Sequence, residues 1–68
     1  MNNKYNNAKL LTLIAEIINA AEDAGAIIEN SAAYQNRNDE HHADAVKLFN
    51  RLTSIYIQAT DAESSLFN

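Results

Sequence analysis

Sixty-eight residues form one small domain at most, and a chain of this length buries only about 60% of the surface that its unfolded form exposes. Disulfides cannot compensate for so small a core because there is no cysteine, which leaves a metal or self-association. With no proline and one glycine there are few helix breakers, so the composition favours an all-α protein. The formal charge of −4 disfavours general binding to DNA or RNA.

The N-terminal part of the chain bears on localisation. Residues 1–7 are rich in asparagine and have no hydrophobic periodicity, so we expect a lead-in to the first helix. Acidic residues, among them Glu16 and Glu22, interrupt the apolar run 10–28, which a signal peptide avoids. No uncharged stretch approaches the ~20 residues of a membrane span. We therefore expect a cytoplasmic protein with no membrane partner.

The apolar run 10–28 predicts a first helix over about 7–34. Residues spaced alternately four and three apart fall on one line of this helix, the pattern of helix–helix packing: Leu10, Ile14, Ile17, Ala21, Ala24 and Ile28. Apolar neighbours on both sides widen the face to roughly half the circumference, beyond the ~100° stripe of an ordinary surface helix. We expect the helix to run through Gly25, whose small size lets another helix approach.

A second helix is predicted over about 39–63, after a turn at about 35–38 rich in asparagine. We expect Asn38 or Asp39 to cap it. Its apolar line alternates three and four in the same way: Ala45, Leu48, Leu52, Ile55, Ala59, Ala62 and Leu66. Phe49 and Tyr56 flank that line.

Two long helices joined by a short turn make an antiparallel helical hairpin within a single domain, 1–68. Since one neighbour cannot cover the broad face of the first helix, we predict a homodimeric four-helix bundle. Its expected core is drawn from both lines: Leu10, Ile14, Ile17, Ala21, Ala24, Ile28, Leu48, Leu52, Ile55 and Ala59. Plasmid-encoded RNA-regulating hairpins of the Rop type share this architecture, although no sequence motif connects the chain to them.

Adjacent histidines at the start of the second helix offer one hypothesis of a metal site. His41 and His42 stand near Asp39 and Asp44, at the three-residue spacing that bundle metal sites use. Acids of the first helix could complete such a site: Glu16, Glu22 and Glu29. The competing interpretation is a solvated helix start with no metal and no cofactor, since the cluster lies at a helix end and those glutamates share the polar side.

Lys47 and Arg51, one turn apart, form a small basic patch. A two-fold axis would double it, and an RNA duplex could be recognised by shape at such a patch. Asp44, three residues before Lys47, could equally neutralise it. Nucleic acid is therefore the less favoured partner.

Catalysis has little support in this sequence. It has no cysteine, its serines lack a glycine-flanked elbow, and one glycine cannot build a phosphate-binding loop. We therefore expect a non-enzymatic oligomer that binds another macromolecule, most simply a protein, as regulators and inhibitors encoded by phages and plasmids do. Aromatic and β-branched side chains would supply the anchors of that surface: Tyr34, Val46, Phe49, Tyr56 and Ile57.

Overall fold

A computed structural model describes residues 7–67, which form three helices. They are α1 (Asn7–Glu29), α2 (Ala32–Gln35) and α3 (His42–Phe67). The long helices α1 and α3 pack against each other as a hairpin, and within residues 7–67 there is no strand. The expectation of an all-α helical hairpin is confirmed. The predicted lead-in lies outside the described residues except for Asn7, where α1 begins.

The first helix ends at Glu29, five residues before the predicted limit of 34. Ser31 has extended backbone angles, φ −83° and ψ 151°, which interrupt the helix. Its hydroxyl donates to the Ile28 carbonyl at 2.6 Å and accepts the Tyr34 N–H at 3.1 Å. Ser31 therefore closes α1 and caps the single turn of α2 with the same side chain, because a serine hydroxyl competes well for backbone groups at helix ends.

The second long helix begins at His42, later than the predicted residue 39, and runs to Phe67, beyond the predicted 63. The connection between the long helices, residues 30–41, is called the bend, and its polar side chains bind the backbone here. The Asn36 side chain accepts the Asn38 N–H at 3.0 Å, and the Asp39 carboxylate accepts the His41 N–H at 2.8 Å. These local hydrogen bonds satisfy backbone groups in a turn conformation. The helix therefore begins at a later residue than helix propensity alone would indicate.

The hairpin interface is a heptad seam, which we call the inner seam. Its α1 members are buried or half-buried: Leu11, Ile14, Ile18, Ala21, Gly25 and Ile28. On α3 the matching positions alternate four and three apart: Ala45, Phe49, Leu52, Tyr56, Ala59, Glu63 and Leu66, among which Glu63 is the charged member. Each predicted apolar line is thus divided by the structure. Alternate members, such as Ile14 and Ala21, belong to the inner seam, whereas those between them do not.

Other apolar residues form a second line, the apolar strip, in which each residue stands one position before an inner-seam position. It comprises Leu10, Leu13, Ile17, Ala20, Ala24 and Ile27 on α1, with Leu48, Ile55 and Ala62 on α3. One position is a rotation of about 100° in the same sense on both helices. Because the helices run antiparallel, that rotation brings the two halves of the strip to one face of the hairpin.

The hairpin alone has almost no closed core. Among residues 7–67, only Ile14, Ala21 and Ala59 are buried, and no side chain is fully enclosed. The radius of gyration is 15.8 Å, whereas a compact domain of this length has about 11 Å. Two helices side by side make a single layer, so each helix keeps most of its circumference in solvent.

The inner seam predicts that Ala21→Glu unfolds the hairpin. Ala21 is 7% exposed, and a carboxylate placed there loses its hydration or forces the helices apart, at a cost of about 3 kcal/mol or more. Urea unfolding followed by circular dichroism measures this loss. Asn19→Glu adds the same charge to the exposed side of α1 and should change stability by less than about 0.5 kcal/mol. Equal stability of the two variants would mean that the seam is misassigned.

Candidate functional site

On the face opposite the apolar strip, α1 and α3 enclose an open groove of about 280 Å³. Its lining comes from both helices: Ala21, Glu22, Gly25, Ala26, Glu29, Phe49, Leu52, Thr53 and Tyr56. Several of these residues follow an inner-seam position by one, as Glu22 follows Ala21 and Thr53 follows Leu52. The groove face is therefore defined by the residue after each seam position, and the strip face by the residue before it.

Small residues on α1 opposite an aromatic ring on α3 create the floor. A Cβ added at Gly25 would lie 3.7 Å from Cε1 of Phe49, an ordinary van der Waals distance. The ring thus sits about one methyl group away from the α1 backbone. Tyr34 packs against the same ring, with centroids 5.1 Å apart and planes inclined by 53°. This tilted contact, of a kind favoured between aromatic rings, holds Phe49 in place from the bend.

Acidic side chains line the α1 edge of the groove. Glu22 and Glu29 are exposed and seven residues apart, which is about 10.5 Å along the helix. On the α3 edge, the Thr53 hydroxyl donates to the Phe49 carbonyl at 3.1 Å and so is directed to its own helix. None of the lining residues is a lysine or an arginine. The groove therefore combines an apolar, aromatic floor with a negative edge.

Of the anchors predicted from the sequence, Phe49 and Tyr56 line this groove. Val46 and Ile57 each stand one position after an inner-seam residue, so they lie on the same face of the hairpin as the groove. Ile57 is 52% exposed. Tyr34 reaches the groove through Phe49. What sequence reasoning missed is the α1 edge, where Glu22 and Glu29 were considered only as metal ligands. Their heptad positions could have indicated this edge, because Glu22 and Glu29 each stand directly after a residue of the inner seam.

The histidine pair is divided between two environments. His41 is exposed, with its Nε2 3.3 Å from a Glu40 carboxylate oxygen. His42 is half-buried, and its Nδ1 lies 2.8 Å from the Ala33 carbonyl oxygen. Since a carbonyl can only accept, Nδ1 carries the proton in this contact and ties α3 to α2. Across residues 7–67, histidine and acidic side chains form no group of three or more that could hold a metal ion.

The basic pair lies elsewhere. Lys47 and Arg51 are exposed. Lys47 lies on the side of α3 away from α1, whereas Arg51 directly precedes the seam residue Leu52 and so borders the apolar strip. Asp44 is also exposed, and in the part of the chain that the structure describes it forms no ion pair with Lys47. Both charges thus lie on the surface of α3, outside the groove lining.

Neither long helix carries an apolar segment long enough to cross a membrane within residues 7–67. Comparison with protein-family models, with curated proteins and with solved structures finds no match to this chain. The two faces of the hairpin are therefore the features of this chain that bear on its function.

The arrangement of the histidines predicts that metal ions do not stabilise the fold. Zinc or a chelator should shift the melting temperature of the purified chain by less than about 1 °C, because a ligand stabilises a protein only when it binds the native state. Thermal unfolding followed by circular dichroism provides the test. A rise with zinc that disappears in a His41→Ala, His42→Ala double variant would restore the metal hypothesis.

Proposed function

We propose that this chain is a non-enzymatic homodimer, a four-helix bundle joined through the apolar strip, which acts by binding another protein in its groove. The observation that carries the proposal is the division of the hairpin into two unlike faces. One is broad and apolar, as a self-association surface is, and the other is concave, aromatic and acid-edged, as a recognition surface is.

Exposure of large apolar side chains supports the dimer. Leu13 and Leu48 are each 52% exposed, and Ile27 is 72% exposed, all on the strip. A monomeric protein rarely leaves such a continuous apolar line in water, because burying it against a second copy gains about 25 cal/mol for each Å² removed from solvent. The alternation of three and four along the α1 part of the strip is also the spacing that a further helix requires.

The surface area of the chain supports the same association. It exposes 5200 Å², whereas a compact monomer of 7.5 kDa exposes roughly 4200 Å². The excess is comparable to the ~800 Å² that each partner buries in a standard interface. A two-fold dimer through the strip would therefore bring the surface exposed by each chain close to that of a compact monomer of its mass.

A dimer formed in this way leaves the groove free. The strip and the groove lie on opposite sides of the hairpin, so the bundle would carry two grooves on its outer surface, related by the two-fold axis. A small cytoplasmic regulator or inhibitor with two equivalent binding surfaces fits this arrangement. The aromatic side chains Phe49 and Tyr56 would be its anchors, since aromatic groups dominate binding energy at interfaces.

The dimer makes a prediction about mass. Light scattering at micromolar concentration should give about 15 kDa, twice the chain mass of 7.5 kDa. Leu13→Glu should shift the mass to that of one chain, because the carboxylate would have to enter the interface. Asn19→Glu, which adds the same charge on the exposed side of α1, should remain dimeric.

A second readout keeps this test decisive if the Leu13→Glu monomer unfolds. The melting temperature of the native chain should rise with protein concentration, as it does for any dimer whose subunits dissociate on unfolding. A native mass of one chain, together with a melting temperature independent of concentration, would refute the dimer.

Protein binding makes its own prediction. A tagged chain should retain one specific protein from extracts of its source cell at a stoichiometric ratio, and Ala26→Phe should abolish that retention by filling the groove. Ala8→Phe, the same change at an exposed position about 27 Å away along α1, should leave it intact. Retention that survives Ala26→Phe would show that the groove is not the binding surface.

A further inference from the structure

We infer that the groove takes a basic amphipathic helix, a segment of the partner protein whose apolar stripe is flanked by lysine or arginine. This inference rests on the proposed function, in that it names the partner of the same groove. It comes from three features of the groove: the shape of its floor, the spacing of its acidic residues and the lack of lysine or arginine among its lining residues.

The shape of the groove suits a helix. Its lining on α1 extends from Ala21 to Glu29, about 12 Å, which is a little more than two helical turns. Two roughly parallel ridges with an apolar floor between them form the surface into which amphipathic helices dock, with anchors at positions i, i+3 or i+4, and i+7. A docked helix would place apolar side chains over Gly25 and against the rings of Phe49 and Tyr56.

The spacing of the acids suits the basic residues of such a helix. Glu22 and Glu29 stand seven residues apart on one edge, so they repeat every two turns. Lysines or arginines seven apart on a docked helix would repeat at the same distance of about 10.5 Å. Aromatic rings such as those of Phe49 and Tyr56 also attract cations, because the electrostatic potential over the face of each ring is negative.

The absence of basic residues selects against other ligands. Residues 10–35 carry four acids and no lysine or arginine. An anionic membrane surface, a nucleic acid or an acidic peptide would meet like charge at this edge, and would find no lysine or arginine among the lining residues to offset it. Charge complementarity therefore commits the groove to a cationic occupant.

Two synthetic helical peptides test the inference on the intact chain. Both are about 18 residues long, enough to span the groove with a turn to spare at each end, and both carry the same leucine stripe. One has lysine and the other glutamate at every polar position. Isothermal titration should show micromolar binding of the lysine peptide, weakened as salt rises from about 0.1 to 0.5 M, and no binding of the glutamate peptide.

Matched variants separate the groove from the overall negative charge. Glu22→Gln with Glu29→Gln should weaken binding of the lysine peptide about tenfold, the loss expected for two ion pairs. Glu16→Gln with Asp23→Asn removes the same charge from exposed positions outside the groove, and should weaken binding less than about twofold, through long-range screening alone. Circular dichroism on every variant confirms the helical fold.

Three outcomes would overturn the inference: equal binding of the glutamate peptide, equal loss in the two double variants, or no binding of the lysine peptide to the folded native chain. None of these outcomes would refute the proposed function, since the mass of the dimer and the retention of a protein partner are measured separately. Conversely, if the lysine peptide binds as expected but no protein is retained from extracts, the chemistry of the groove holds and the cellular role fails.

Discussion

The structure depends on one packing constraint: α1 carries two neighbouring apolar lines, the inner seam and the apolar strip, and a single helix can cover only one of them. The two lines are offset by one residue, so both have the heptad spacing that helix packing requires. α3 takes the inner seam, in which Ile14 and Ala21 are buried. The strip beside it stays exposed, since side chains rotated by about 100° lie beyond the reach of the same neighbour.

That choice of seam determines what each face of the hairpin can do. Residues one position before the seam are apolar along α1, whereas on α3 the apolar residues Leu48 and Ile55 alternate with polar ones such as Arg51. This face is therefore predominantly apolar. Residues one position after the seam include Glu22 and Glu29, which make the other face acidic at its edge. Two unlike faces, one predominantly apolar and one with an acidic edge, are thus generated by the same helices, without any insertion or extra domain in the described residues.

The bend contributes more than a connection. Ser31 ends one helix and starts the next, and the contact of His42 with the Ala33 carbonyl fastens α3 to the short helix between them. Tyr34, carried by that short helix, packs on Phe49 at 5.1 Å. The bend therefore positions an aromatic ring of the groove, and the geometry of the candidate site depends on residues that do not line it.

The sequence by itself determined the helical class, the hairpin and the breadth of the apolar face, because periodicity of 3.6 residues and the lack of proline leave no other regular structure. It also singled out Phe49 and Tyr56, which the structure places in the lining of the groove. The helix ends near Ser31 and Asp39 were not predicted, since side-chain bonds to nearby backbone compete with helix propensity by amounts that pattern does not reveal. Only the tertiary structure decided which of the two adjacent lines faces α3. Helical periodicity shows which residues of α1 lie on the same side of the helix. Which of these sides packs against α3 depends on the register set by the bend and on the fit of Phe49 against Gly25.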